Sequence, residues 1–145
     1  MPQESTDCPA KTSETVLSGS NCFACGPGNP RGLRLVFHRE KEGAMAALWT
    51  PEPELEGYSG IVHGGIVSTV LDEAMAKVVA ESGAQALTAE LRVRFRQQTP
   101  SGTQLRIRGW IESRTRRMIQ TEAQLCAADG SELAHAWAVF LPVAK

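Results

Sequence analysis

Apolar positions in the middle of the chain recur at helical spacing, and those on either side alternate. From Gly64 to Ser82, Ile66, Val67, Val70, Leu71, Ala74, Met75 and Val78 fall on one broad face at about 100° per residue. That pattern predicts a helix whose apolar face belongs to a core, and Gly83 is placed to end it. Before it, Leu33, Leu35 and Phe37 alternate with Arg34, Val36 and His38, and Met45, Ala47 and Trp49 follow the Glu42-Gly43 turn signal. After it, Leu91, Val93 and Phe95 alternate with Arg92, Arg94 and Arg96. Leu105 to Ile111, Met118 to Ala127 and Ala134 to Phe140 read as further strands, separated by Gly, Pro and Asp turn signals. Two strands, one long helix and four strands with short links predict an α+β domain. Its antiparallel sheet would cover the apolar face of one helix.

The same pattern sorts the polar residues of the helix. Asp72 lies nearly opposite the apolar face, among Ser68, Thr69 and Ala76. Glu73 stands between the faces, four residues before Lys77, the spacing of an ordinary surface ion pair. Asp72 is therefore the candidate for chemistry and Glu73 a structural residue. A solvated aspartate on an exposed face is the plainer reading, but the residues upstream argue against it. Gly60-Ile61-Val62-His63-Gly64-Gly65 opens the helix with two glycines, so another molecule can approach the backbone where no Cβ intervenes. The first N–H groups of a helix lack internal partners, and the macrodipole makes that end electropositive. A carbonyl oxygen gaining negative charge is suited to that place.

The run GIVHGGIVSTVLDEAM resembles the signature of hotdog-fold acyl-CoA thioesterases of the phenylacetic-acid-pathway type. A second resemblance, in Cys22-Phe23-Ala24-Cys25-Gly26 followed by Asn29-Pro30-Arg31-Gly32-Leu33, is to the leader of one branch of that superfamily. The likeness implies a hotdog fold: a curved antiparallel sheet wrapped around one long central helix. It implies thioester hydrolysis, with the Gly64 N–H, helped by Gly65, polarising the carbonyl and Asp72 acting as general base or nucleophile. His63 would orient the loop or contact the thioester, and Thr88 would help to place the water. Where some members carry an amide side chain six residues before the histidine, this chain has Gly57. The likeness also implies a homodimer, with each site at the dimer interface, and leaves open whether two dimers pair into a homotetramer. The alternative is a non-catalytic acyl-thioester binding module of the same fold. The Asp and His segment of the related hydratases is not found.

Arg114, Arg116 and Arg117 cluster at a turn between strands. They read either as a solvated turn or as a site for the phosphates of coenzyme A, which guanidinium groups bind through paired hydrogen bonds. The substrate would be a small acyl-CoA or acyl-carrier thioester, with no cofactor. Cys22 and Cys25 form one CxxC where a structural zinc site commonly uses two such pairs, so no metal is expected and a packed pair in a turn is. The 145 residues suffice for one core. Residues 22–145 are read as that domain and residues 1–21, polar and rich in Ser and Thr, as a flexible segment. A formal net charge of −1 gives no reason to expect nucleic-acid binding. No apolar run spans a membrane, and no secretory signal is seen, so a cytoplasmic protein with reduced thiols is expected.

Overall fold

The central helix, α1, runs Gly64–Glu81 and ends at Ser82 with Gly83 in the left-handed region at φ 94°. The computed structural model describes residues 19–143, so the segment expected to be flexible falls largely outside the described residues. The six strands are β1 (His38–Arg39), β2 (Met45–Trp49), β3 (Ala86–Phe95), β4 (Leu105–Arg114), β5 (Ile119–Cys126) and β6 (Glu132–Pro142). They form one sheet in the order β1-β2-β4-β5-β6-β3, and every neighbouring pair is antiparallel. Strand alternation explains the core. Ile107, Ala123, Leu125, Ala136 and Phe140 point inward and are almost wholly buried against Val67, Val70, Leu71, Ala74 and Met75 of α1. This is the hotdog arrangement.

Helix and sheet approach each other closely at Gly109 of β4. A Cβ built there would stand 2.7 Å from the Ala74 carbonyl oxygen and 2.8 Å from its carbon. Those atoms are helix backbone and cannot rotate away. Glycine is required for α1 to lie this close to the sheet.

Three expectations need correction. Leu33 to Phe37 is extended, with Leu35 and Phe37 buried, but the ladder with β2 begins only at His38. The Leu33 and Leu35 N–H groups donate instead to the Phe23 and Ala24 carbonyls, at 2.8 and 2.9 Å. Strand β3 starts at Ala86, five residues before the clean alternation, and its register shifts between Thr88 and Glu90. Glu73 and Lys77 are not at the surface but 8% and 4% exposed. Periodicity could not reveal this for Glu73, because Cys22, 51 residues away in sequence, lies against it.

On the outer face of the sheet, His135 is held between Glu132 at 2.7 Å and Glu122 at 2.9 Å. Arg96 also pairs with Glu132, and Arg92 stacks over Trp137 at 4.3 Å. Partial burial opposes the charged imidazole, yet the bonds to Glu132 and Glu122 outweigh it and raise its pKa above the usual 6.5. Burial likewise opposes the Glu132 carboxylate, but His135 and Arg96 hold its pKa below the usual 4.5.

Two predictions follow from this packing. Gly109→Ala should destabilise the fold by about 1–3 kcal/mol, because helix or strand backbone must move; chemical denaturation measures this, and an unchanged midpoint would refute the close approach. The His135 contribution is fully present below pH 6.5 and is lost as pH rises through its raised pKa. The Glu132 contribution is present above pH 4.5 and is lost as pH falls through its lowered pKa. The stability advantage of wild type over His135→Gln should therefore peak between pH 4.5 and 6.5 and shrink in alkali. A difference that does not vary with pH would exclude these pairs as its source.

Candidate functional site

Tight backbone geometry shapes the start of α1. His63 is its N-cap, with φ −58° and ψ 135°, and its Nδ1 accepts the Gly65 N–H at 2.9 Å. That bond satisfies one of the unpaired donors of the first turn. It also fixes the neutral ring as the tautomer with its proton on Nε2. The ring rests against Gly57, where an added Cβ would lie 3.3 Å from His63 Cα and 3.4 Å from Cδ2. The missing amide side chain at position 57 is thus space used by the histidine.

The Gly65 N–H is already engaged by His63, so in this conformation it does not serve as the second donor to a carbonyl. The Gly64 N–H has no acceptor among the described residues. It opens onto a cleft of about 680 Å³ lined in part by Tyr58, His63, Gly64, Val67, Phe95 and Gln97. A Cβ at Gly64 would touch the Phe95 ring at 3.5 Å, which places an apolar wall beside the donor. Phe95 and Tyr58 were not singled out in the sequence. Phe95 belonged to an alternating strand, and nothing local shows that this strand ends at the helix N-terminus.

Asp72 lies on the polar side of α1, partly covered, and its Oδ1 accepts the Thr88 hydroxyl at 2.8 Å. Burial pushes the carboxyl up from the usual 3.8, and the Thr88 bond opposes that rise. The structure therefore brings Thr88 and Asp72 together. It does not bring Asp72 to Gly64 of the same chain, because eight residues of helix separate them by about 12 Å. Arg114, Arg116 and Arg117 are further still. Arg114 donates to the Ser82 hydroxyl at 3.0 Å, at the C-terminal end of α1. About 25 Å of helix lies between that end and Gly64.

Glu73 turns the other way. Its Oε1 accepts from the Cys22 thiol at 3.8 Å, and burial pushes its pKa up, with Lys77 opposing and Asp72 adding to the shift. Cys22 and Cys126 are free thiols, whereas Cys25 is held in a disulfide, contrary to the expectation of reduced thiols throughout.

The thioesterase superfamily profile matches residues 59–134, which hold the His63-Gly64-Gly65 turn, all of α1 and strands β3 to β5. The chain belongs to the thioesterase superfamily. It is 30% identical over 98 residues to the acyl-coenzyme A thioesterase THEM4 of Xenopus laevis, an alignment covering 68% of this chain and 44% of that protein. Among solved structures, a thioesterase superfamily protein is 27% identical with a TM-score of 0.78, covering 81% of this chain and 61% of that one. A phenylacetic acid degradation-related protein of Ralstonia eutropha JMP134 is 25% identical with a TM-score of 0.68, covering 75% and 85% of the two chains. The chain spans less than half the length of the curated acyl-coenzyme A thioesterases it matches.

Removing the cap tests the geometry without reference to activity. His63→Ala should lower stability by about 0.5–2 kcal/mol, and His63→Asn, which keeps an acceptor, should recover most of it. Equal losses in both variants by denaturant unfolding would show that the Nδ1 bond does not hold the first turn.

Proposed function

We propose that this domain hydrolyses an acyl-CoA or acyl-carrier thioester to a free acid and a thiol. The observation that carries this reading is a helix whose first N–H opens on a cleft while a partly buried aspartate, paired with Thr88, stands two turns further along. The thioester carbonyl oxygen would accept from the Gly64 N–H, which a helix N-terminus favours as negative charge develops. His63, with its proton on Nε2, would donate toward the thioester from the same turn. Asp72 would take a proton from water as the water attacks the carbonyl carbon, or would attack that carbon itself. In the first case the C–S bond breaks and the thiolate takes the proton back from the aspartate; in the second it breaks to leave an anhydride on Asp72, which water hydrolyses to the free acid, regenerating the carboxylate and supplying the thiol proton. No cofactor is needed for these steps.

The 12 Å separation along one rigid helix means that Gly64 and Asp72 of one chain cannot act on the same carbonyl. A homodimer resolves this, with the donor from one protomer and the carboxylate from its partner. Strand β3 supports that reading. It is an edge strand, and Leu91 and Phe95 on its inner face are 40% and 53% exposed, while Leu87, on the opposite face before the bulge, is 53% exposed. Pairing of two dimers into a tetramer is part of the same proposal. So is a contact of Arg114, Arg116 and Arg117 with CoA phosphates, which would have to reach the cleft from another protomer. Membership of the phenylacetic-acid-pathway branch rests on the motifs and on the Ralstonia relative. A cytoplasmic location belongs to the same proposal and would require the Cys25 disulfide to open in a reducing compartment. Among the described residues no helix is long and apolar enough to cross a membrane.

The test is release of free thiol from short-chain, long-chain and aromatic acyl-CoA substrates. Asp72→Ala should fold normally and lose roughly 10²–10⁴-fold in turnover. Gly64→Pro removes the N–H at a helix position that tolerates proline. Mixed with Asp72→Ala, it should regain activity through one intact site in each heterodimer. Binding of these substrates without turnover would assign the domain to the non-catalytic class. An inactive mixture despite proven subunit exchange would refute the shared site.

A further inference from the structure

The cysteine loop and the buried side of α1 meet in a cluster that the proposed reaction does not use. Cys22 Sγ, Cys25 Sγ and a Glu73 carboxylate oxygen all lie within 4.8 Å of one another. Tetrahedral zinc, with bonds of about 2.3 Å to sulfur and 2.0 Å to oxygen, places a sulfur and an oxygen donor roughly 3.5 Å apart. Cys22 Sγ and Glu73 Oε1 stand 3.8 Å apart, so a small closure brings them to that spacing.

The loop is built to present two sulfurs on one side. The Gly26 N–H donates to the Cys22 carbonyl at 2.8 Å and closes a tight turn. A Cβ at Gly26 would collide with the Cys22 backbone nitrogen and lie 2.5 Å from the Ser20 carbonyl oxygen, so the residue after Cys25 must be glycine. Phe23 and Ala24 fasten the turn to Leu33 and Leu35, and the covered thiol of Cys22 faces the helix.

Charge supports the same assignment. Glu73 is buried on the flank facing a thiol rather than water, and a buried carboxylate needs compensation. Two thiolates and one carboxylate carry three negative charges. A divalent cation and the buried Lys77 ammonium, which acts on Glu73, carry three positive ones.

We propose that in the reduced chain Cys22, Cys25 and Glu73 bind a thiophilic divalent cation such as zinc. Water fills the fourth tetrahedral position. In the structure described, the Cys25 sulfur is held in a disulfide, so the site forms when a reductant supplies two electrons and two protons to that bond. The cation then displaces the thiol protons of Cys22 and Cys25, which leave to solvent. This reverses the expectation of no metal, because the third ligand is 51 residues away in sequence.

The test uses the full chain, reduced with a phosphine and stripped of metal, titrated with cobalt(II). The expected result is a thiolate-to-cobalt charge-transfer band with the visible bands of tetrahedral cobalt, saturating at one ion per chain and bleached by zinc. Cys22→Ser should abolish the spectrum. Glu73→Gln should weaken affinity by roughly 10- to 100-fold or more, with circular dichroism confirming the fold. Cys126→Ser, on a different strand, should bind as wild type does. Absence of the tetrahedral spectrum in reduced wild type would overturn the proposal, as would its persistence in Cys22→Ser or unchanged affinity in Glu73→Gln. Because the readout is spectroscopic, failure here leaves the proposed hydrolysis untouched, and inactivity toward thioesters leaves this site untouched.

Discussion

The contact between Gly109 of β4 and the backbone of Ala74 in α1 sets the depth at which the helix sits in the sheet. Everything else is placed relative to that contact. With the helix pressed down there, its apolar face is sealed by β4, β5 and β6, and the two ends and one flank remain for other work. The N-terminal end emerges beside Phe95, and the flank that carries Asp72 comes within hydrogen-bond reach of Thr88. A side chain at position 109 would lift the helix and loosen both relations together.

A single rigid helix also imposes a separation. An N–H at its first turn and a carboxylate two turns on are held about 12 Å apart whatever the surroundings do. Chemistry that needs both on one carbonyl cannot be completed within a chain. The exposed apolar residues of the β3 edge and the short side chains around Asp72 are the surfaces that a second protomer would cover. The proposed assembly would then be a consequence of helix geometry rather than an addition to it.

The two carboxylates at positions 72 and 73 illustrate how adjacent residues on a helix are sent to different tasks. They are about 100° apart around the axis. One looks toward β3 and a hydroxyl; the other looks toward the cysteine loop and a thiol. Burial raises both, but Lys77 opposes the shift of Glu73 and Thr88 that of Asp72. Their environments differ because Asp72 meets the strand that follows α1, whereas Glu73 meets the cysteine loop far upstream of it.

By itself the sequence determined the helix, its two ends and most strands, because these depend on periodicity and on glycine and proline placement, which are local. It also pointed to His63, Gly64 and Asp72, whose spacing is a property of one continuous helix. The family membership, shown by the match over residues 59–134, agrees with that motif. What only the tertiary structure decided is which residues meet across distance. Glu73 and Lys77 had the spacing of a surface pair, yet both are buried, Glu73 against Cys22 of a distant loop. Gly65 offered an N–H that the ring of His63 takes up. Arg114 is near Ser82 and far from the cleft. Local pattern encodes which side of an element is apolar. It carries no information about which remote segment will cover the sides that are not, because that depends on chain packing in three dimensions.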